Sequence, residues 1–366
     1  MKKLIAISVV FALVAGAVFA VDLSAEVTGN VQLFEYNNED ALGKARIAYW
    51  MNALKLQGSA EVMDGKFGAQ LRLDKANSFQ GFAWWKPIDQ FKLIVGQSGA
   101  DDGFWGKDGC SAWGFNQKAN DGIAVAAGLW DEVYGMDYRE GAWYGGFNKP
   151  AVFMEIKPLD MLGINIGIPA DWQNWDKNIV KKIHFQVDMN FSFGNIAITY
   201  GGNNIYLYYG GSFGAIGLDV GISVPELIDN PGFTHLYFGA DLKYSAGAFG
   251  IKFRTMEGIP VKSGAAFMVN TGVLPYFAIN DNMTVFFFAE MGMAIGRGIS
   301  VPGFGTIGGG LTKLGWLVNP YLRIGAEWGP SFYVGLKVHQ VNVKALAGSA
   351  DKALQFALPI GITVSF

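Results

Sequence analysis

The C-terminal segment alternates strictly between apolar and small or polar residues, and this alternation limits what the chain can fold into. Every second position is apolar, namely Leu354, Phe356, Leu358, Ile360, Ile362, Val364 and Phe366. A period of two gives a β-strand with one apolar and one polar face. Its length matches a strand that crosses a bilayer at a tilt, which takes about 9–11 residues. The segment therefore predicts a strand with lipid on one face and a polar lumen on the other.

The N-terminus has the pattern of a secretory signal peptide. Two basic residues, Lys2 and Lys3, precede an apolar run to Phe19, and Ala20 ends an acceptable cleavage site before Val21. Such a segment is removed on export and is too short for a membrane anchor. We therefore expect residues 1–20 to be a signal peptide and residues 21–366 to form a single barrel domain.

The composition excludes several other classes of protein. Apolar residues make up 51% of the chain, yet the part after residue 20 lacks a run of the roughly 18 apolar residues that a membrane helix needs. The formal net charge of −3 does not favour a nucleic-acid partner. The one cysteine, Cys110, cannot form an internal disulfide, and we assign it no role.

Alternating segments recur along the whole chain and are joined by short turns and longer loops in turn. Counting them predicts about eighteen antiparallel strands, with sixteen as the alternative, and both ends of the chain on the short-turn side. The parity of the second strand slips near Asn52–Ala53, which predicts a β-bulge. A Lys86–Asp89 turn of sequence Lys-Pro-Ile-Asp recurs in closely similar form at Lys157–Asp160. The predicted fold is an all-β transmembrane antiparallel β-barrel.

The signal peptide, the strand count, the turn asymmetry and the terminal Phe366 together resemble those of bacterial outer-membrane porins. The two Lys-Pro-x-Asp turns resemble those of spirochaete outer-membrane barrels. The resemblance implies a protein of the bacterial outer membrane that is surrounded by its lipid. It also implies a C-terminal sorting signal, with Phe366, Val364 and Ile362, for the barrel-assembly machinery. The resemblance is compatible with a homo-oligomer, and it implies no cofactor or metal.

Residues on the inward face of the predicted strands are the candidates for a pore lining. Both signs of charge occur among them, which allows two interpretations. One is a wall whose charges are merely hydrated; the other is a transverse electric field that orients solutes and sets ion selectivity. The predicted pore-lining residues are Lys66, Arg72, Lys92, Asp188, Asp219, Asp241, Lys243, Lys252, Arg254, Glu290, Arg323 and Lys337.

The segment 98–144 is longer than loops without a function or a structure of their own usually are. In large porins such a loop often folds into the lumen, and the resemblance implies the same here. The predicted constriction residues are Asp101, Asp102, Trp105, Asp108 and Trp113. Acids beside aromatic rings could bind sugars, but packing of the rings onto the wall is the simpler interpretation.

The function predicted from the sequence is that of a porin, a water-filled channel through which small hydrophilic solutes and ions diffuse passively. The alternatives are a saccharide-selective channel, or a non-transport surface or structural barrel that acts as an adhesin or envelope scaffold. An enzyme is not expected. The Gly303–Gly308 segment matches a dinucleotide-binding pattern but lacks the βαβ context that the pattern requires.

Overall fold

A computed structural model describes the fold of most of the chain. The described residues are 21–37, 46–73, 79–97, 150–170, 179–201, 203–224, 235–261, 267–296, 299–301, 305–307, 311–325, 330–340 and 355–365. The predicted signal peptide, the 98–144 segment with its constriction residues, Cys110 and Phe366 lie outside them.

The described residues form β-strands almost throughout, with one short helix. The first half of the chain contains β1 (Val21–Asn37), β2 (Arg46–Val62), β3 (Phe67–Leu73), β4 (Phe79–Ile88), β5 (Phe91–Gln97), β6 (Ala151–Leu159), β7 (Leu162–Pro169), α1 (Ile179–Lys182), β8 (His184–Phe191), β9 (Gly194–Gly201) and β10 (Asn204–Phe213). The second half contains β11 (Ile216–Val224), β12 (His235–Ala246), β13 (Phe249–Pro260), β14 (Phe267–Asn280), β15 (Met283–Ile295), β16 (Ile299–Val301), β17 (Gly305–Ile307), β18 (Leu311–Gly325), β19 (Ser331–Gly335), β20 (Lys337–Gln340) and β21 (Gln355–Ser365).

The large sheet closes on itself. Each strand pairs antiparallel with the next along the chain, β15 pairs with β18, and β21 pairs back onto β1. The strands β19 and β20 are separated only by Leu336 and lie between the same two neighbours, β18 and β21. They therefore form one interrupted barrel strand, and the described residues make a barrel of eighteen strands. A separate hairpin, β16–β17, lies outside this sheet.

The predicted bulge is confirmed by the pairing of β1 with β2. Thr28 pairs with Ala53 and Gly29 with Met51, so Asn52 is the extra residue. One additional residue reverses which face the following side chains occupy. The bulge thus explains the slip of parity along β2.

The short turns lie at one end of the barrel and include the two predicted Lys-Pro-x-Asp turns. The pairing skips Lys86 and Pro87 in the first turn and Lys157 and Pro158 in the second, so both have the same irregularity. The backbone N–H of Lys157 donates to the carbonyl of Gln90 at 2.8 Å, which joins the two turns. The recurring hairpin predicted from the sequence is confirmed. We call this end of the barrel the short-turn end.

Candidate functional site

The two faces of the barrel wall differ sharply in chemistry. On β12, Leu242 is 42% exposed, whereas Asp241 beside it is 1% exposed. Because side chains of a strand alternate between faces, the exposed apolar residues mark the outer surface and their neighbours point inward. The same alternation places Arg254 inward next to the exposed Phe253, and Arg323 inward next to the exposed Ile324. The candidate site is the inner wall defined in this way.

A row of charged residues crosses the inner wall from β11 to β15. Asp219 pairs with Asp241, Asp241 with Arg254, and Arg254 with Gly272, which pairs in turn with Glu290. Directly opposed residues in an antiparallel sheet point to the same side. We call Asp219, Asp241, Arg254 and Glu290 the charged row.

Ion pairs connect the first members of the charged row. The Nε of Arg254 donates to Oδ2 of Asp241 at 2.8 Å. Lys243 donates from Nζ to Oδ2 of Asp219 at 3.2 Å and lies 4.0 Å from Oδ2 of Asp241. The hydroxyl of Tyr208 donates to Oδ1 of Asp219 at 2.6 Å. The carboxylates of Asp219 and Asp241 therefore each lie close to a cationic side chain, which two neighbouring acids require when water is restricted.

A glycine makes room for the tyrosine of this network. Tyr208 reaches Asp219 over Gly210, where an added Cβ would lie 2.0 Å from the tyrosine hydroxyl oxygen. Only a residue without a side chain fits beneath the ring at this distance. The sequence Tyr208-Tyr209-Gly210 thus positions one partner of Asp219.

A second row, without charges, runs along the inner wall from β7 to β12. Successive members are directly opposed across each strand pair, and all are buried. The hydroxyl of Thr199 donates to Oε1 of Gln186 at 3.1 Å. This neutral row consists of Asn165, Gln186, Thr199, Tyr206, Ser223 and Tyr237. Sequence analysis did not identify this row, because only the register between strands aligns its members.

A cavity of about 360 Å³ lies at the short-turn end, between β2 and β6. Its lining combines four acids with three lysines around Trp84: Glu61, Asp64, Asp89, Glu155, Lys86, Lys92 and Lys157. Lys92 lies directly opposite Glu155, and its Nζ is 5.1 Å from the centre of the Trp84 ring. Lys86 and Asp89 form an ion pair at 2.9 Å. The cavity therefore presents both signs of charge to the lumen.

The pKa of Asp89, in the turn that borders this cavity, lies below the ordinary value for an aspartate. The hydrogen bond from Lys86 is the main cause, and the positive charge of Lys86 is the second. Both favour the ionised carboxylate. Asp89 is therefore a stable negative charge at the mouth of the barrel.

Two apolar clusters on the inner wall were not predicted. Ile94, Ala151 and Phe153 form a buried cluster against Phe82 and Trp84. In a separate place, on β15 and β18, the rings of Phe286 and Tyr321 stack at 4.6 Å between centres, and Arg323 lies 4.9 Å from the Phe286 ring centre.

Apart from Glu290 and Arg323, which are buried, the predicted pore-lining residues fall into four groups. Asp219, Asp241, Lys243 and Arg254 form the ion-pair network, and Lys252 lies directly opposite Lys243. Lys92 borders the cavity, and Lys66 is exposed in the turn before β3. Asp188 and Lys337 are half-buried on β8 and β20. Arg72 belongs to β3, but its side chain lies outside the described part of the structure.

One interpretation of the sequence was that all these charges are merely hydrated. That interpretation is wrong for four of the residues. Asp241, Arg254, Glu290 and Arg323 are buried. Strand alternation reports which face a residue occupies, but it does not report what covers that face. These four groups depend on protein partners or enclosed solvent rather than on open water.

Within the residues that the structure describes, no group of three or more His, Cys, Asp or Glu side chains could hold a metal ion. In the same residues, no helix has the length and hydropathy needed to span a membrane.

Comparisons with known proteins bear on the fold. No protein-family model matches the sequence, and no curated protein matches it. OpdO of Pseudomonas aeruginosa is 9% identical over 94% of this chain and 97% of its own, with a TM-score of 0.50. The outer membrane protein OpdK of the same organism is 9% identical over 94% and 99%, with a TM-score of 0.48. OmpT, an outer membrane protein of Vibrio cholerae, is 12% identical over 94% and 97%, with a TM-score of 0.46.

At such low identity the likeness concerns the fold alone, and the likeness to OpdO agrees with the pairing of the strands. Closure of the sheet through β1 and β21, antiparallel pairing throughout and an apolar outer face belong to one architecture. The chain has the transmembrane antiparallel β-barrel fold of bacterial outer-membrane proteins.

Proposed function

We propose that the protein is a porin, a water-filled channel for passive diffusion of small hydrophilic solutes and ions. The observation that carries this proposal is an eighteen-stranded closed barrel whose inner wall bears charges of both signs. Strands ~4.8 Å apart and tilted ~40° would give a backbone cylinder roughly 35 Å across, wider than wall side chains alone can fill.

The proposed setting is the bacterial outer membrane. The exposed apolar band of the outer face is suited to membrane lipid. We include in the proposal that the alternation of β21 is part of a sorting signal for the barrel-assembly machinery. We include a homo-oligomer in the proposal. A spirochaete-type barrel is also included, on the strength of the two Lys-Pro-x-Asp turns. No enzymatic activity is proposed.

The segment 98–144 is proposed to narrow the pore through Asp101, Asp102, Trp105, Asp108 and Trp113. Its length supports this, as does the burial of inner-wall groups such as Asp241 and Arg254. Shortening Asp101–Asp121 is expected to raise single-channel conductance and the size limit for solutes. Unchanged conductance would place the segment outside the pore.

The test of the proposed function is reconstitution of the purified protein in planar lipid bilayers. A porin should give large, stable and nearly ohmic conductance steps. Absence of conductance at every voltage would contradict the proposal and favour a surface or structural barrel. In that case, deletion of an external loop should abolish binding to a partner and leave the barrel intact.

A saccharide-selective channel is the second candidate function. It is favoured by the acids and aromatic rings that lie close together in the sequence of the segment 98–144, since carboxylates bind sugar hydroxyl groups and rings stack on sugar faces. The first candidate requires only the wall and its charges, whereas the second requires that these groups bind a solute.

A further inference from the structure

The cavity around Trp84 at the short-turn end offers room for a solute on the inner wall. Its volume of about 360 Å³ falls within the ~300–1,000 Å³ that pockets for small ligands usually have. It is half enclosed by the strands from β2 to β6 and open on its other side. We call it the rim cavity. A partly open cavity of this size can admit a small molecule and hold it by contacts on several sides.

The rim cavity faces the lumen. Trp85 is 43% exposed on the outer face, so Trp84 beside it points inward. Trp84 is directly opposed to Gly68, and Gly68 is opposed in turn to Glu61. Opposed residues of an antiparallel sheet point to the same side. A solute in the lumen can therefore reach both Glu61 and the indole ring.

Backbone hydrogen bonds hold the three turns around the rim cavity in fixed positions. The N–H of Lys86 donates to the carbonyl of Lys66 at 2.6 Å, which joins the β4–β5 turn to the β2–β3 turn. The bond from Lys157 to Gln90 joins the β6–β7 turn to the β4–β5 turn. A cavity whose walls are already in position loses little conformational entropy when a ligand binds.

The charges that line the rim cavity are of two kinds. Four of them have a neighbour of opposite sign within the lining: Lys86 lies 2.9 Å from Asp89, and Lys92 is directly opposite Glu155. The others are exposed, so a ligand can reach them. These exposed charges are Glu61, Asp64 and Lys157.

The three exposed charges lie at opposite ends of the rim cavity. The two acids belong to β2 and the turn that follows it, whereas Lys157 belongs to the end of β6. Trp84, on β4, lies midway between them. Four strand spacings of ~4.8 Å separate the backbones of β2 and β6, roughly 19 Å along the wall. Because the side chains of Glu61 and Lys157 take up part of this span, a ligand that contacts both must carry its two charges some distance apart.

This arrangement fits the two ends of a short peptide. A terminal ammonium group can bind at Glu61 and Asp64, and a terminal carboxylate can bind at Lys157. Each residue of a peptide spans at most ~3.3–3.6 Å, so two or three residues place the two charges roughly 7–10 Å apart. The uncharged middle of the peptide can pack against the indole ring of Trp84.

Ligands that carry charge of a single sign fit less well. The lining has four acids and three lysines, so a free anion and a polycation would each meet like charge as well as opposite charge. In the part of the chain that the structure describes, no three acids are grouped so that they could hold a metal ion. A zwitterion avoids both problems because each of its ends faces the opposite sign.

We propose that the rim cavity is a binding subsite for short peptides of two or three residues with free termini. This inference rests on the proposed channel function and names a class of solute for it. Binding is weak, because the charges involved are exposed to water and because a transported solute must also leave.

The test measures the ion current through single channels of the full-length protein in planar bilayers while trialanine is added on both sides. We expect the current to fall in a saturable way. N-acetyl-trialanine lacks the ammonium charge, and trialanine amide lacks the carboxylate charge. Each derivative should need a concentration about three- to five-fold higher for half-maximal block, which is the effect expected for one exposed ion pair.

Two substitutions assign the two ends of the peptide. Glu61→Gln should weaken the block by trialanine and reduce the difference between trialanine and its acetylated form, because the ammonium group would lose a partner. Lys157→Gln should weaken the block likewise and reduce the difference between trialanine and its amide. Both side chains are exposed, so we expect both variants to fold, and the open-channel conductance of each variant checks this.

The matched control is Asp188→Asn, which removes one carboxylate charge from the inner wall of β8, outside the rim cavity. Asn190 donates to this carboxylate at 3.3 Å. The substitution should leave the block by all three peptides unchanged. Isothermal titration calorimetry of the protein and its variants in detergent micelles measures the binding of the same peptides without any current.

The outcomes separate the subsite from the channel function. Channels that conduct without a saturable block would overturn the peptide subsite and leave the porin function standing. Equal block by trialanine and both derivatives would also overturn the subsite, as would a block unaltered by both Glu61→Gln and Lys157→Gln. If the protein never conducts, the porin function is contradicted and the calorimetry decides on the subsite: the same order of affinities supports it, and absence of binding overturns it.

Discussion

Arg254 and Asp241 form a direct ion pair between neighbouring strands, with the Nε of the arginine 2.8 Å from an Oδ of the aspartate. The two residues are directly opposed in the pairing of β12 with β13, and both are buried. A buried ion pair loses hydration on both sides, so its net effect on stability depends on keeping both partners.

Removal of one partner should be far more harmful than removal of both. We expect Asp241→Ala to lower the free energy of unfolding by about 3–5 kcal/mol, because Arg254 would be buried without its main counter-charge. The double variant Asp241→Leu with Arg254→Met should recover most of this loss. Urea unfolding in lipid vesicles, followed by tryptophan fluorescence, measures both. The expectation would be contradicted if the single variant lost less free energy of unfolding than the double variant.

Close packing of Trp84 against Gly68 predicts a second difference in stability. A Cβ at Gly68 would lie 2.0 Å from Cζ2 of Trp84, so Gly68→Ala must displace the ring. Overpacking of this kind costs about 1–3 kcal/mol. Gly217→Ala is the control, since a Cβ there would lie 3.5 Å from the Cβ of Lys243, an ordinary contact. Equal effects in the same urea titration would show that the ring is not held in place.

The turn between β4 and β5 predicts a measurable titration. Since the hydrogen bond and charge of Lys86 lower the pKa of Asp89, Lys86→Met should raise that pKa towards the ordinary aspartate value. The pair stabilises the turn fully at pH values above the ordinary pKa. This stabilisation is lost as the pH falls through the lowered pKa. Carboxyl-carbon NMR of labelled aspartate in micelles can follow the titration, and an unchanged pKa in the variant would exclude Lys86 as the cause.

Charge substitutions in the ion-pair network should shift ion selectivity in opposite directions. Lys243 is partly exposed and contacts Asp219 and Asp241. Lys243→Gln leaves these carboxylates in excess and should move the reversal potential in a salt gradient towards cation preference. Asp219→Asn should move it towards anion preference. Both shifts should shrink as salt rises, because screening weakens them. Identical reversal potentials in the two variants would place these charges away from the conduction path.

Much of the fold follows from residue patterns along single strands. The alternation along β2 identified the extra residue that the pairing places at Asn52. The repeated Lys-Pro-x-Asp sequence identified two turns with the same irregularity of pairing. These features are local, because alternation and turn chemistry act over a few residues.

The features that sequence analysis missed depend on how distant strands are aligned. The neutral row joins Asn165 to Tyr237 across six strands, and no single strand shows it. The stacking of Phe286 on Tyr321 likewise needs the register of β15 with β18. A candidate site of this kind can be predicted one residue at a time, but not as a constellation.

The seam between β1 and β21 imposes an order on assembly. Val27 pairs with Val364, so hydrogen bonds that complete the cylinder join segments from opposite ends of the sequence. Until β21 is available, β1 presents a free edge of N–H and C=O groups, which in other proteins promotes aggregation. Closing so long a chain segment is also entropically costly and slow. The edge of β1 is therefore protected only once β21 has paired with it, so two strands far apart in the sequence complete the cylinder together.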